Sequence, residues 1–398
     1  MRAVSSSVEP NALTATTASS SVASGGSPPF RFYDNRQKYL AFVNTCNEKG
    51  AIARRIAQEL ASIKPTPPAL RIFDAGMGDG TVLARVMRST HKAFPTVPLL
   101  AVAKEISLED VRLGLEKLPD RLVEHPATVF VVTNLNYAEA PRLMPRDIQV
   151  AAALNWHEIR LTGSSSHDYA EQIDALAPLL AEGWQTKPRP VTGNPVYVRP
   201  TVLVIYREDH KFLLDAVVPR PGHTFESYDF VLASQPWRAS VPAEFKVRKI
   251  LVPLARSLAP GGRLLVVQSW GRDPGLEIVQ KLWPGENPFQ IDRHKLAAVM
   301  KSELGRDVKN FNFLVAADDK AVFRYEMHTL PSEIGDRIGT STLFAAWNAA
   351  IYVNQIEDER IDAVVANSAY LEATQDVLHA HGGLWFNDES FVVARRRD

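Results

Sequence analysis

LRIFDAGMGDGTVLARVMR, residues 70–88, runs from a short apolar strand at Leu70 to Phe73 into a glycine turn, after which Val82, Leu83, Val86 and Met87 fall on one face of a helix. The turn is Asp74-Ala75-Gly76-Met77-Gly78-Asp79-Gly80. Its glycines allow positive φ and a close backbone approach to a ligand, and the following helix offers unpaired N–H groups. A nicotinamide dinucleotide fold would use G-x-G-x-x-G, but counting from Gly76 puts Thr81 at the last glycine position. Asp79 would also place negative charge beside a pyrophosphate. A cationic ligand without phosphates avoids that repulsion.

Outward from this unit the pattern alternates. A strand at 98–104, a helix at 107–117 and a strand at 128–133 follow, then a strand at 228–234, a helix at 246–258 and a strand at 263–268, the last two joined by a Pro260-Gly261-Gly262 turn. This is the rhythm of right-handed βαβ units with helices on both faces of a parallel sheet. The expected fold class is α/β: a Rossmann-like, doubly wound, mostly parallel sheet with an insertion between the third and fourth strands and helical cap segments. The insertion, 141–226, shows a helix near 168–181, a Pro-rich loop at 188–200, and a hairpin of two apolar runs, 201–206 and 212–218. Residues 37–61 read as one or two helices forming a lid or brace, ended by Pro65, Pro67 and Pro68. Beyond 270 come helices near 275–282 and 293–303, a strand pair at 311–328, helices near 341–355 and 363–379, and a strand from Ser390 to Arg395. The organisation expected is a disordered tail at 1–29, rich in Ser, Ala and Thr, then 30–140 and 227–330 as halves of a cofactor-binding domain around the 141–226 insertion, with 331–398 as C-terminal helices and strand.

Asp74 to Gly80 resembles the acidic-x-Gly-x-Gly-x-Gly motif of class I S-adenosylmethionine-dependent methyltransferases, at the first βα turn, where such a sheet opens its ligand crevice. The resemblance implies an enzyme with S-adenosylmethionine as cofactor, held by Asp74, Gly76, Gly78, Asp79 and Gly80. It assigns Glu105, at the end of the second strand, to the ribose diol. The Arg256–Val266 segment is similar to the family's helix, Pro-Gly-Gly turn and fifth strand. At the third strand, where the family often has an acid beside the adenine, stand Asn134 and Asn136. An Asn carbonyl can still accept from the adenine amino group, so Asn134 is the candidate. Ser234-Gln235-Pro236-Trp237 faintly resembles the polar-Pro-Pro-aromatic motif of methyltransferases acting on planar nitrogen, with Gln235 in place of the first proline; Trp237 either packs on the core or walls the substrate pocket.

Asn155-Trp156-His157-Glu158 supplies the remaining polar cluster. His157, with Glu158, is the candidate general base toward an acidic hydroxyl, and Trp156 a candidate substrate contact. The insertion, with Tyr197 as a further aromatic, is expected to help build the acceptor site; an oligomerisation arm is the alternative, so a homo-oligomer stays open. Phe344, Trp347 and Tyr352 on a C-terminal helix are expected in the core. No His/Cys spacing suggests a metal.

Across 398 residues, 45 Lys+Arg balance 45 Asp+Glu, so no net positive field gathers nucleic acid. Cys46 alone cannot form an intrachain disulfide, and no apolar run spans a bilayer, so a cytoplasmic protein without a membrane partner is expected. The expected reaction is in-line methyl transfer to a small-molecule acceptor. A protein-modifying methyltransferase, or a non-catalytic protein that binds the cofactor or a partner, are the rival readings.

Overall fold

A computed structural model describes residues 36–189, 195–222, 227–329, 331–366 and 368–397. The tail expected at 1–29 and part of the Pro-rich loop expected at 188–200 lie outside them. The strands are β1 (Leu70–Asp74), β2 (Leu99–Lys104), β3 (Thr128–Thr133), β4 (Asn155–Leu161), β5 (Thr186–Pro188), β6 (Pro195–Tyr197), β7 (Thr201–Arg207), β8 (Tyr228–Ser234), β9 (Leu258–Ser269), β10 (Phe311–Leu314), β11 (Val322–Glu326) and β12 (Trp385–Arg395). The main sheet has the order β10-β12-β9-β8-β1-β2-β3-β7-β4, with β11 also on β12. β3, β2, β1, β8 and β9 are mutually parallel. β12 runs antiparallel between β9 and β10. The chain travels from β1 to β2 and β3 on one side, and resumes at β8 and β9 on the other. The carboxyl ends of β1 and β8 therefore flank the switch point at which such sheets bind ligands.

Every residue of β2, β3 and β7 is buried, as expected of strands covered on both faces. Ile72, Ala101, Phe130 and Leu203 face a layer containing Ile56, Val86, Val111 and Leu122. Phe73, Val102, Val131 and Val202 face Val247, Leu254, Leu296 and Met300. Each large side chain buried in these layers contributes about 1.5–3 kcal/mol. A third cluster joins the helix Arg36–Thr45 to helices Pro274–Leu282, Thr340–Val353 and Ala369–His381 through Phe42, Ile278, Trp347 and Leu378. Phe344 departs from the core expected for its helix, being 59% exposed, whereas the Tyr352 ring lies 4.9 Å from that of Phe42.

The 141–226 insertion lengthens the sheet, where a separate cap was expected: β7 adds antiparallel to β3, and β4 adds parallel to β7 at the edge. The expected hairpin is absent. After β7 the chain turns through Glu208–His210 into the short helix Lys211–Leu214, which buries Leu214 and exposes Phe212. The helix expected at 168–181 is two, Ser166–Asp174 and Ala177–Gly183, because Pro178 has no N–H to continue the first and suits the opening turn of the second. The expected 363–379 helix likewise divides into Asp358–Val365 and Ala369–His381, with Ser368 at φ 59° between them. β10 and β11 do not pair with each other; both pair with β12. Pro260-Gly261-Gly262 lies inside β9, at an irregularity opposite β8. A Cβ on Gly262 would come within 2.4 Å of the Tyr228 carbonyl oxygen, so the strands approach too closely there for a larger residue.

Candidate active site

β1 ends on Asp74, which is buried and whose Oδ1 accepts from Gly76 N–H at 3.2 Å. Burial pushes this carboxyl up to about 6 against that hydrogen bond, and the neighbouring Glu105 charge adds to the rise. Gly78 and Gly80 take φ 54° and 76°. At Gly80 a Cβ would lie 2.6 Å from the Gly114 Cα, so this glycine lets the helix Leu108–Leu115 close on the turn. A Cβ on Gly76 would meet only Pro236 Cβ, at 3.9 Å.

Glu105 reaches back from β2 onto the turn. Its Oε2 accepts from Gly78 N–H at 2.9 Å, and its Oε1 from Ile106 and Ser107 N–H at 2.7 and 2.9 Å. An ionised carboxylate offers about four acceptor positions, so one remains for a ligand hydroxyl. Asp79 caps the next helix through Thr81 N–H at 3.2 Å and Thr81 Oγ1 at 2.6 Å, with Lys49 Nζ 3.7 Å away. Burial would raise its pKa, but Lys49 and the Thr81 bonds outweigh burial and lower it.

Several residues not singled out in the sequence complete the crevice. The helices Arg36–Thr45 and Glu48–Leu60 place Tyr39 and Lys49 on the turn, where a Cβ on Gly78 would meet Tyr39 Oη at 3.3 Å and Lys49 Nζ at 3.9 Å. Glu48, whose pKa burial raises, accepts from Gln235 Nε2 at 3.0 Å. That same amide nitrogen lies 3.3 Å from Oδ1 of Asp388, a fully buried acid on β12. Gln235 adopts φ 48° just after β8, a left-handed conformation uncommon for a non-glycine residue. Tyr137 donates from its hydroxyl to the Pro236 carbonyl at 3.0 Å, with Lys104 Nζ 4.8 Å from its ring centroid. It thus links the β3 and β8 loops across the end of β1. A signal for Glu48 and Lys49 was present, a charged pair opening a helix of otherwise apolar face. Nothing local foretold Asp388, which arrives from the far end of the chain.

The other predicted residues are not gathered here. Asn134 spends its side chain on structure: Nδ2 donates to the Gly183 and Arg199 carbonyls, both at 2.9 Å, and Oδ1 accepts from Thr201 N–H at 2.8 Å. Its amide clasps the insertion with both Nδ2 donors and one Oδ1 lone pair, and the side chain is buried. His157 and Glu158 stand on β4, four strands from β1, which is about 19 Å at the usual interstrand spacing. Glu158 accepts from Tyr206 Oη at 2.6 Å and Arg160 Nε at 2.9 Å, and those bonds, the Tyr206 one foremost, hold its pKa low. A base for this crevice is therefore not supplied by His157 or Glu158. Trp156 packs against the sheet core with its indole N–H buried and, among the described residues, without a hydrogen-bond partner. The insertion meets the crevice instead through Trp184, whose indole N–H donates to the Glu105 carbonyl at 2.9 Å. Trp237 is buried beside the β8 loop, at the rim of the crevice.

These features gather a glycine turn and a surplus of acid at the carboxyl ends of β1, β2 and β8. No family model matches the chain, and no curated protein matches it. Among solved structures, a putative sarcosine dimethylglycine methyltransferase from Galdieria sulphuraria overlaps it at TM-score 0.35 and 10% identity, over 87% of this chain and 86% of that one. A geranyl diphosphate methyltransferase in complex with S-adenosylmethionine overlaps at TM-score 0.31 and 13% identity, over 86% and 84%. PKMT2 from Rickettsia typhi in complex with AdoHcy does so at TM-score 0.29 and 11% identity, over 87% and 53%. Overlaps this loose leave the function to be argued from the chain's own geometry.

Proposed function

We propose that the chain binds S-adenosylmethionine at the turn after β1 and transfers its methyl group to a small-molecule acceptor. The observation that carries this reading is the union of turn and acid: Glu105 folded onto Gly78 N–H at 2.9 Å, with one acceptor position left for a ribose hydroxyl. The surroundings suit a cation. Asp74, Asp79, Glu105 and Glu48 outnumber Lys49, Lys104 and Lys117 about the turn, which favours a sulfonium and disfavours a pyrophosphate.

When bound, the cofactor supplies a methyl carbon that accepts the acceptor's lone pair as the carbon–sulfur bond breaks, leaving S-adenosylhomocysteine. The chain's own part is to hold the ribose with Glu105, to keep the turn open with Gly76 and Gly78, and to exclude water with Tyr39, Tyr137 and the helices that bear Glu48 and Lys49. A second reading, a non-catalytic binding protein, is favoured by Tyr137, whose bond to Pro236 lies across the crevice.

Calorimetry with S-adenosylmethionine, followed by transfer of a labelled methyl group into a metabolite extract, separates the two. Saturable binding lost in a folded Gly78→Val variant is expected, because the branched side chain would meet Tyr39 and resist φ 54°. Unchanged affinity in that variant removes the turn from the site. Binding without transfer to any extract component favours the non-catalytic reading, and label recovered in protein favours a protein acceptor.

A further inference from the structure

β4 ends the main sheet, and among the described residues its outer edge pairs with nothing. Asn155 N–H donates inward, to the Pro200 carbonyl at 2.8 Å. Alternate residues of a strand turn their N–H and C=O groups to opposite sides, so Asn155, His157 and Ile159 serve β7 while Trp156, Glu158 and Arg160 direct theirs away from the sheet. Such an edge is a template for another strand, and chains that stay apart blunt it with a bulge, a proline or charges. β4 has no proline, and its register with β7 is unbroken from Asn155 to Leu161. It does carry charges, Glu158 and Arg160, and their spacing decides which strand the edge fits.

Backbone groups of a second β4 meet these only when outward residues face outward residues. An antiparallel register centred on Glu158 sets that carboxylate against its own copy, and one centred on Arg160 does the same to the guanidinium. The register centred on Ile159 instead places Glu158 opposite Arg160 in both directions, an opposite-charge pair that stabilises a sheet. Within its own strand Glu158 uses Oε1, which accepts from Arg160 Nε at 2.9 Å and Tyr206 Oη at 2.6 Å. Among the described residues, Glu158 Oε2 and Arg160 Nη1 have no partner and are available across the edge.

The ends of the edge expose apolar surface. The helix Ile148–Ala152, which leads into β4, buries none of its residues, and Ile148 is 85% exposed. Past the carboxyl end of β7, parallel to β4, the helix Lys211–Leu214 leaves Phe212 99% exposed. These are the most exposed large apolar side chains among the described residues, one at each end of the edge. A two-fold axis through the edge brings the amino end of one β4 to the carboxyl end of the other, and so brings each Ile148 toward the Phe212 of the second copy.

We propose that the chain forms a homodimer in which β4 pairs antiparallel with β4 of a second copy about a two-fold axis at Ile159, joining the two main sheets, with Ile148 of each copy against Phe212 of the other. The dimer does not depend on the methyl-transfer reading.

The test is sedimentation of the full chain across the micromolar range, with amide hydrogen exchange followed by NMR. Wild type is expected to sediment as a dimer in which Glu158 and Arg160 N–H exchange slowly, and to lose that protection on dilution. Phe212→Asp changes a side chain that packs on nothing in the monomer, so its fold should be intact, as thermal melts of the dilute protein check. It and Glu158→Arg should each raise the dissociation constant of the dimer at least about tenfold. Adding Arg160→Glu to Glu158→Arg restores the cross-strand pair and should restore the dimer. A wild type that stays monomeric, a dimer unaffected by Phe212→Asp or Glu158→Arg, or a folded double variant as weak as Glu158→Arg overturns the proposal. So does a mass that grows beyond a dimer with concentration, because a two-fold contact closes on itself.

Discussion

Glu105 shows how much one carboxylate can organise. A surface acid at a helix start would touch one or two N–H groups of its own helix, as its Oε1 does with Ile106 and Ser107. Its Oε2 goes further and fixes Gly78 of the neighbouring loop. Glu105→Gln replaces a shared acceptor with an amide whose NH2 would face backbone donors. The expected outcome is a loss of roughly 1.5–3 kcal/mol in affinity for S-adenosylmethionine, the range for a hydrogen bond to a charged group. S-adenosylhomocysteine, with the same ribose, should weaken equally in a parallel titration; equal affinities in wild type and variant place Glu105 outside the site. The placement of Asp74, Gly78 and Glu105 at a strand end, in a turn and after the next strand was legible because these are local patterns. The surroundings of Asn134 and His157 were not legible because a polar side chain's partners can be distant in sequence. Thr201 and Gly183, which occupy the Asn134 amide, lie 67 and 49 residues away.

At the scale of elements, the insertion is where sequence and structure part most. The apolar run at 201–206 marks β7 as a buried strand, whereas β4, in which only Leu161 is buried, has no such run, and periodicity carries no record of which edge a strand will join. The outcome rests on β3 being the last strand of the parallel half: its open edge is covered by β7, and β7 in turn by β4. Asn134 holds this extension in place from the end of β3, so Asn134→Leu leaves the Thr201 N–H and the Gly183 and Arg199 carbonyls short of a partner. Urea unfolding should show a loss of about 2–4 kcal/mol, since each buried group left unsatisfied costs about 1–3 kcal/mol and Gly183 keeps a second donor in Thr201 Oγ1. Cofactor affinity should stay within a few-fold, because no other side chain on the turn changes. A much larger fall in affinity with little change in stability would return Asn134 to the adenine.

Across the whole molecule, helices from both ends of the chain enclose acids that burial leaves in an unfavourable state. Asp74 and Asp273 are each pushed up to about 6, chiefly by burial, and Glu48, Asp229, Asp388 and Glu389 are raised in the same direction. A carboxyl whose folded pKa exceeds its unfolded value near 3.8 contributes stability that is fully present below that value and lost as pH rises through about 6. For Asp74 and Asp273 this amounts to about 3 kcal/mol each. Acids with lowered pKa, the buried Asp79 and the half-exposed Asp209 among them, stay ionised between pH 5 and pH 7 and offset little there. His91, pushed down to about 3 by burial, and His125, lowered in the same way, oppose this trend, because an imidazole kept neutral in the fold favours unfolding as pH falls past its ordinary value; the six raised acids outnumber these two, so the ligand-free protein should melt at a higher temperature at pH 5 than at pH 7. A sulfonium needs the ionised form of Asp74, so its binding should run the other way, weakening about tenfold over the same interval as the carboxyl protonates. Thermal melts with and without S-adenosylmethionine test both slopes at once: the ligand-free midpoint should rise on acidification while the ligand-induced increment shrinks. Asp74→Asn should remove this group's part of both trends, since an amide neither ionises nor neutralises a cation. An increment that stays constant from pH 7 to pH 5 in wild type would mean that Asp74 does not face the bound cation, and the charge argument for the cofactor would have to rest on Glu105 and Asp79 alone.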